Sequence, residues 1–70
     1  MRFRLTTDMD ILKNFCAMSE VNGAWRNHDE GRMYTWEETF KLMGFKTYKD
    51  DGEYHWLDDY EYTFFVLRYS

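Results

Sequence analysis

Asp51-Gly52 is the feature that most constrains the fold. It stands between two runs of strand-forming residues, in FKTYKD-DG-EYHWL, and such a pair is a strong signal for a tight two-residue hairpin. Asp58-Asp59 supplies a second turn signal seven residues on. The stretch between 46 and 57 is therefore expected as two antiparallel strands. Residues 50 to 61 also hold six acids and no base, with Tyr54, Trp56 and Tyr60 set among them.

That segment splits the chain electrically. Residues 1 to 49 carry seven acids and eight bases, a net of +1, whereas residues 50 to 70 carry six acids and one base, a net of −5. The whole-chain charge of −4 thus comes from the C-terminal third. An acidic surface attracts basic partners and repels nucleic acid.

Two helices are expected from their end signals. Thr7-x-x-Asp10 resembles a capping box, and Asp8 and Asp10 suit the positive end of a helix dipole. Ile11, Phe15 and Met18 then recur at helical spacing, and Asn22-Gly23 fits a stop, so a helix spans about residues 8 to 21. Thr35-Trp36-Glu37-Glu38 is the clearer capping box. Trp36, Phe40 and Met43 share a face, with Gly44 just past the end and Phe45 placed to fold back on Phe40.

The remaining segments read as strand or loop. Met1 to Thr6 alternates apolar and polar residues like a half-buried strand. Tyr62 to Tyr69 is rich in β-formers and apolar on both faces, which predicts an interior strand, with the N-terminal strand paired to it. Residues 23 to 34 fit either a long loop pinned by Trp25 or a short hairpin at 24–34, with Ala24 to Arg26 and Arg32 to Tyr34 as its strands. The expected architecture is α+β in a single domain over residues 1–70. Two short helices cover one face of a mainly antiparallel sheet of about four strands, in the order β-α-α-β-β-β.

Seventy residues are close to the lower limit for a self-sufficient core, and a lone cysteine, Cys16, rules out a disulfide within the chain. Fifteen aromatics (six Phe, six Tyr, three Trp) exceed what one such core can hide, so some should lie at the surface or at an interface. The single cysteine suits a reducing compartment, and no apolar run is long enough for a leader or a membrane span. A cytoplasmic location is expected.

No catalytic motif emerges. Cys16 with His28 or His55 could be imagined as a nucleophile set, but Cys16 lies on an apolar helical stripe, where cysteine packs as a small hydrophobe. His28-Asp29-Glu30 reads as a solvated turn, since adjacent ligands rarely close a metal site. His55 beside Trp56 reads as a surface or edge histidine. The acids do not follow the twelve-residue calcium-loop spacing. Arg2, Arg4, Arg26, Arg32, Lys41, Lys46 and Lys49, interleaved with Phe3, Trp25 and Tyr48, could form a single-strand-binding patch, but the net charge opposes it.

The expectation is a non-enzymatic protein-protein interaction module without cofactor or metal, binding neither nucleic acid directly nor membrane. Its partner-binding residues would be Asp50, Asp51, Glu53, Tyr54, Trp56, Asp58, Asp59, Tyr60 and Glu61. Carboxylates would steer them onto a basic protein surface, with a protein that handles nucleic acid as the special case, while aromatics supply desolvated contact. Small acidic inhibitors from phages and mobile elements, anti-CRISPR proteins among them, work in this manner. The analogy is one of type, carried by no family motif. The competing expectation is a structural homodimer formed by an aromatic sheet face, with the acids serving solubility.

Overall fold

In the computed structural model, which describes residues 1–70, the expected hairpin forms with its turn one residue later than the Asp51-Gly52 pair predicts, because Asp51 joins the strand and pairs with Tyr54. Strands β4 (Lys49–Asp51) and β5 (Tyr54–Trp56) pair antiparallel, with Asp51 opposite Tyr54. The two loop residues are Gly52 and Glu53. Gly52 sits at φ 67°, a conformation that a two-residue hairpin demands and that glycine adopts without steric cost. Strand β1 (Arg2–Phe3) pairs with the other edge of β5, giving a three-stranded sheet in the order β1-β5-β4.

Three α-helices complete the main body: α1 (Met9–Val21), α2 (Trp36–Leu42) and α3 (Asp59–Tyr69). A separate two-stranded hairpin, β2 (Arg26–Asn27) with β3 (Arg32–Met33), lies between α1 and α2. The chain is therefore α+β, with short strands forming in the 24–34 segment. The predicted four-stranded sheet has three strands, because its expected fourth member at 62 to 69 is helical, and the 24–34 hairpin forms a separate two-stranded sheet.

The largest correction concerns residues 62 to 69, which form most of α3 rather than a strand. Asp58 caps this helix, its carboxylate accepting the Glu61 amide at 2.7 Å. Asp59 and Glu61 then occupy the positive end and Arg68 the negative end. Tyr62, Phe65, Val66 and Tyr69 turn inward at helical spacing, whereas Tyr60, Thr63, Phe64 and Leu67 turn outward. A helix apolar on two stripes looks, residue by residue, like a strand apolar on two faces. The cap and tertiary packing override the weak β preference of its aromatics. Asp58-Asp59 is thus a helix start, and β1, with no strand at 62 to 69 to pair with, lies along β5.

Local corrections at the N-terminus have a similar origin. The first strand ends at Phe3, and Leu5–Thr7 form a 3-10 turn. Thr7 closes that turn, so Asp8 is the cap of α1, accepting the amides of Asp10 and Ile11. The capping box of α2 forms as expected, with Thr35 accepting from the Glu38 amide and Glu38 accepting from the Thr35 amide. At its end Gly44 adopts φ 100° and the Phe45 amide donates to the Phe40 carbonyl, which seats the Phe45 ring 5.6 Å from that of Phe40.

The core is an aromatic cluster. Phe15, Phe40, Phe45, Phe65 and Tyr69, from all three helices and the loop after α2, are almost fully buried. Phe40 stacks on Tyr48 at 4.3 Å, and Phe15 meets Tyr69 edge-on at 5.0 Å, arrangements that add to the stability given by burial alone. Phe3 carries the sheet into this cluster, 5.6 Å from Phe65 and 5.0 Å from Tyr62. No helix is long and apolar enough to cross a membrane.

Candidate interaction surface

Strand register sorts residues onto the two faces of the sheet. Arg2, Trp56 and Lys49 lie in one cross-strand row, and Asp51 faces Tyr54 in the next. This is the solvent face; Phe3 and His55 occupy the inner one. The rings on the solvent face are half-buried because the chain's own cations cover them. The Arg2 guanidinium lies 4.1 Å from the Tyr54 centroid and that of Arg4 5.4 Å, while the Lys49 ammonium lies 5.2 Å from the Trp56 ring.

The nine predicted partner-binding residues consequently fall into separate groups. Asp50, Asp51 and Glu53 are exposed on the hairpin. Asp50 and Glu53 have no ion pair, and Asp51 has only a loose one, 3.8 Å from Arg2. Asp50 and Asp51 share with Lys49 and Trp56 a shallow depression of about 270 Å³ at the sheet edge. Asp58 and Glu61 do internal work: Asp58 caps α3, and Glu61 accepts the amides of Lys46 and Thr47. Burial raises the Glu61 pKa, but hydrogen bonds from Thr47 and Lys46 outweigh it and hold the carboxyl below its usual range. Asp59 is exposed, 3.9 Å from the N-terminal amine. Tyr60, 83% exposed, belongs to the outer stripe of α3.

His55 departs from its expected place. It is buried on the inner face, hydrogen-bonded through Nδ1 to the Tyr48 hydroxyl and ringed by Phe3, Trp36 and Phe40. Burial lowers its pKa, against a smaller opposing pull from Asp50. Burial likewise raises the Tyr48 pKa, reinforced by the negative charges of Asp50 and Glu37. The outward alternation of Tyr54 and Trp56 could have revealed this, since it turns position 55 inward.

The other candidates scatter. Cys16 is half-buried, and burial raises its thiol pKa, the opposite of nucleophilic activation. At the 27–32 turn the Asn27 side chain accepts the amides of Asp29 and Glu30, and Glu30 pairs with Arg32 at 2.6 Å. No group of three or more metal-capable side chains converges. Of the basic set, Arg2, Arg4 and Lys49 gather on the sheet face. Arg32 is held by Glu30 and Glu38, and Lys41 by Glu37. Of the rings proposed to stack with them, Phe3 and Tyr48 are buried, and Trp25 packs edge-on against Trp36 at 5.8 Å.

Sequence reasoning missed Phe64 and Leu67, which join Tyr60 and Thr63 in a shallow apolar depression of about 310 Å³ along α3. The signal was present as the i, i+4, i+7 spacing of Tyr60, Phe64 and Leu67 behind the Asp58 cap. Compared with known proteins, the chain matches no family model, no curated protein and no solved structure.

Proposed function

We propose that this protein is a non-enzymatic interaction module that docks its acidic hairpin on a basic protein surface and so regulates or inhibits the partner. The observation that carries this reading is the depression at the sheet edge, where Asp51 shares the outer face with Trp56 and Asp50, opposite His55 in register, lines the edge. A partner arginine or lysine entering it meets the Asp51 carboxylate, whose only internal counter-ion, Arg2, stands 3.8 Å away, and an indole face already suited to a cation, with the Asp50 carboxylate adding to the field from the edge. Lys49 occupies that ring in the free protein. An incoming guanidinium, planar and less strongly hydrated, is the better occupant and would displace it.

Glu53 and Asp59 extend the acidic field toward the two ends of β5 and would steer association, an effect screened by salt over about 8–10 Å near physiological ionic strength. Carboxylates fixed on a hairpin can stand where phosphates would in a nucleic-acid channel. This favours a nucleic-acid-binding protein as the partner and an anti-defence role of the phage inhibitor kind. Asp58 and Glu61 serve the fold, and Tyr54 contributes its edge only.

Capture from a lysate of the encoding organism, with Asp50→Lys/Asp51→Lys as the control bait, tests the reading. A basic protein retained by the wild type and lost by the reversal is expected. Equal retention by both baits would refute docking through the hairpin.

A further inference from the structure

We propose that the solvent face of α3 is a self-association surface, on which a second copy of this chain packs its own α3 antiparallel about a two-fold axis. The stripe consists of Tyr60, Thr63, Phe64 and Leu67, with Tyr60, Phe64 and Leu67 exposed by 83%, 50% and 74%. The helix does not need this stripe for its own core, because Phe65 and Tyr69 on the opposite side are buried there. Contiguous large apolar side chains on one helix face mark an interaction site in soluble domains.

The spacing favours a second copy as the occupant. Centring an antiparallel pair between positions 63 and 64 sets Tyr60 level with Leu67 of the other copy, and the small Thr63 level with Phe64. Each large side chain then meets a complementary position, and the contact repeats itself by symmetry. The charges agree with the direction. The first turn of α3 carries Asp59 and Glu61 behind the capping Asp58, and the last carries Arg68. Arg68 makes no ion pair within the chain and rests over the Phe64 and Tyr69 rings at 5.8 and 5.4 Å. The same antiparallel arrangement sets the acidic first turn of each copy beside the last turn that carries Arg68, and the helix dipoles oppose favourably. A parallel pair would instead set the two acidic turns side by side.

This inference stands apart from the hairpin docking, because Asp50, Asp51 and Trp56 lie outside the stripe. A dimer would present two acidic hairpins at once.

Sedimentation velocity across low to high micromolar concentrations is the first test, with a reversible dimer expected. Leu67→Glu should weaken self-association by about ten-fold or more, since it removes a buried leucine and adds a charge. Tyr60→Lys should do the same, with helical circular dichroism unchanged in each case. Direction is read by oxidative cross-linking in a Cys16→Ser background. Mixed Tyr60→Cys and Leu67→Cys chains should cross-link to each other in preference to themselves. A monomer at every concentration, a dimer indifferent to both charged variants, or cross-linking of each cysteine only to itself would overturn the proposal.

Discussion

Glu61 and Thr47 are joined twice: one carboxylate oxygen of Glu61 lies 2.7 Å from the Thr47 amide and 2.6 Å from its hydroxyl. The other oxygen accepts the Lys46 amide, and the Thr47 hydroxyl oxygen in turn accepts the Asp58 amide at 3.1 Å. The start of α3 is thereby tied to the loop that leaves α2, and Phe45 in that loop packs on Phe64 and Phe65. An acid that sequence reasoning assigned to a partner is a joint of the fold.

Glu61→Ala is therefore expected to destabilise the protein by about 1 kcal/mol, moderated by solvent access to the carboxylate. Urea denaturation checks this, and amide exchange at Lys46 and Thr47 should accelerate in the variant. The acid dependence follows. Glu61 and Glu38 both have folded pKa values below the usual 4.5; that of Glu38 is brought to about 2, first by its hydrogen bonds with Arg32 and then by the Thr35 amide. Their stabilisation is complete above about pH 4.5 and is lost as pH falls through the folded values.

Tyr69 offers the opposite sign. Its ring is buried, yet its hydroxyl has no hydrogen-bond partner. Tyr69→Phe should keep the packing against Phe15 and Phe65 while removing an unsatisfied polar atom. An unchanged or raised stability, by up to about 1 kcal/mol, is expected in thermal or chemical denaturation.

His55 predicts a second, milder pH dependence. Its pKa is lowered in the folded state from 6.5, chiefly by burial. The unfolded chain therefore takes up the proton first as pH falls. Stability is full above about pH 6.5 and declines below it until the folded value is reached. Denaturant midpoints between pH 7.5 and 5.5 should fall for the wild type. For His55→Phe they should stay level, from a lower starting value because Tyr48 loses its partner.

Much of the local structure was legible because it is written in short-range chemistry. The Thr35 capping box, Gly44 with Phe45, and the hairpin around Gly52, shifted by one residue from the expected pair, each depend on residues within five positions of one another. The α3 helix was not legible from composition, since Tyr, Phe and Val favour strands, and only Asp58 with the 60-64-67 and 62-65-69 spacings revealed the helical period. The covering of Tyr54 by Arg2 and Arg4 depends on β1 pairing with β5, a contact across more than fifty residues that no local pattern encodes. Likewise, Glu61 could not be separated from the free acids until the loop it binds was in place.

Lys49 supplies a prediction specific to the docking site. Lys49→Met should uncover the Trp56 ring and remove a competing cation, tightening the binding of an arginine-rich peptide by a few-fold, on the order of 1 kcal/mol. Fluorescence anisotropy of a labelled peptide measures this directly.

The same titration, run with wild type and Asp50→Lys/Asp51→Lys at low and raised salt, tests the central claim. The account predicts binding that weakens steadily with salt and is lost in the reversal, while circular dichroism shows both proteins folded. No binding at low salt, or binding indifferent to salt and to the reversal, would contradict it.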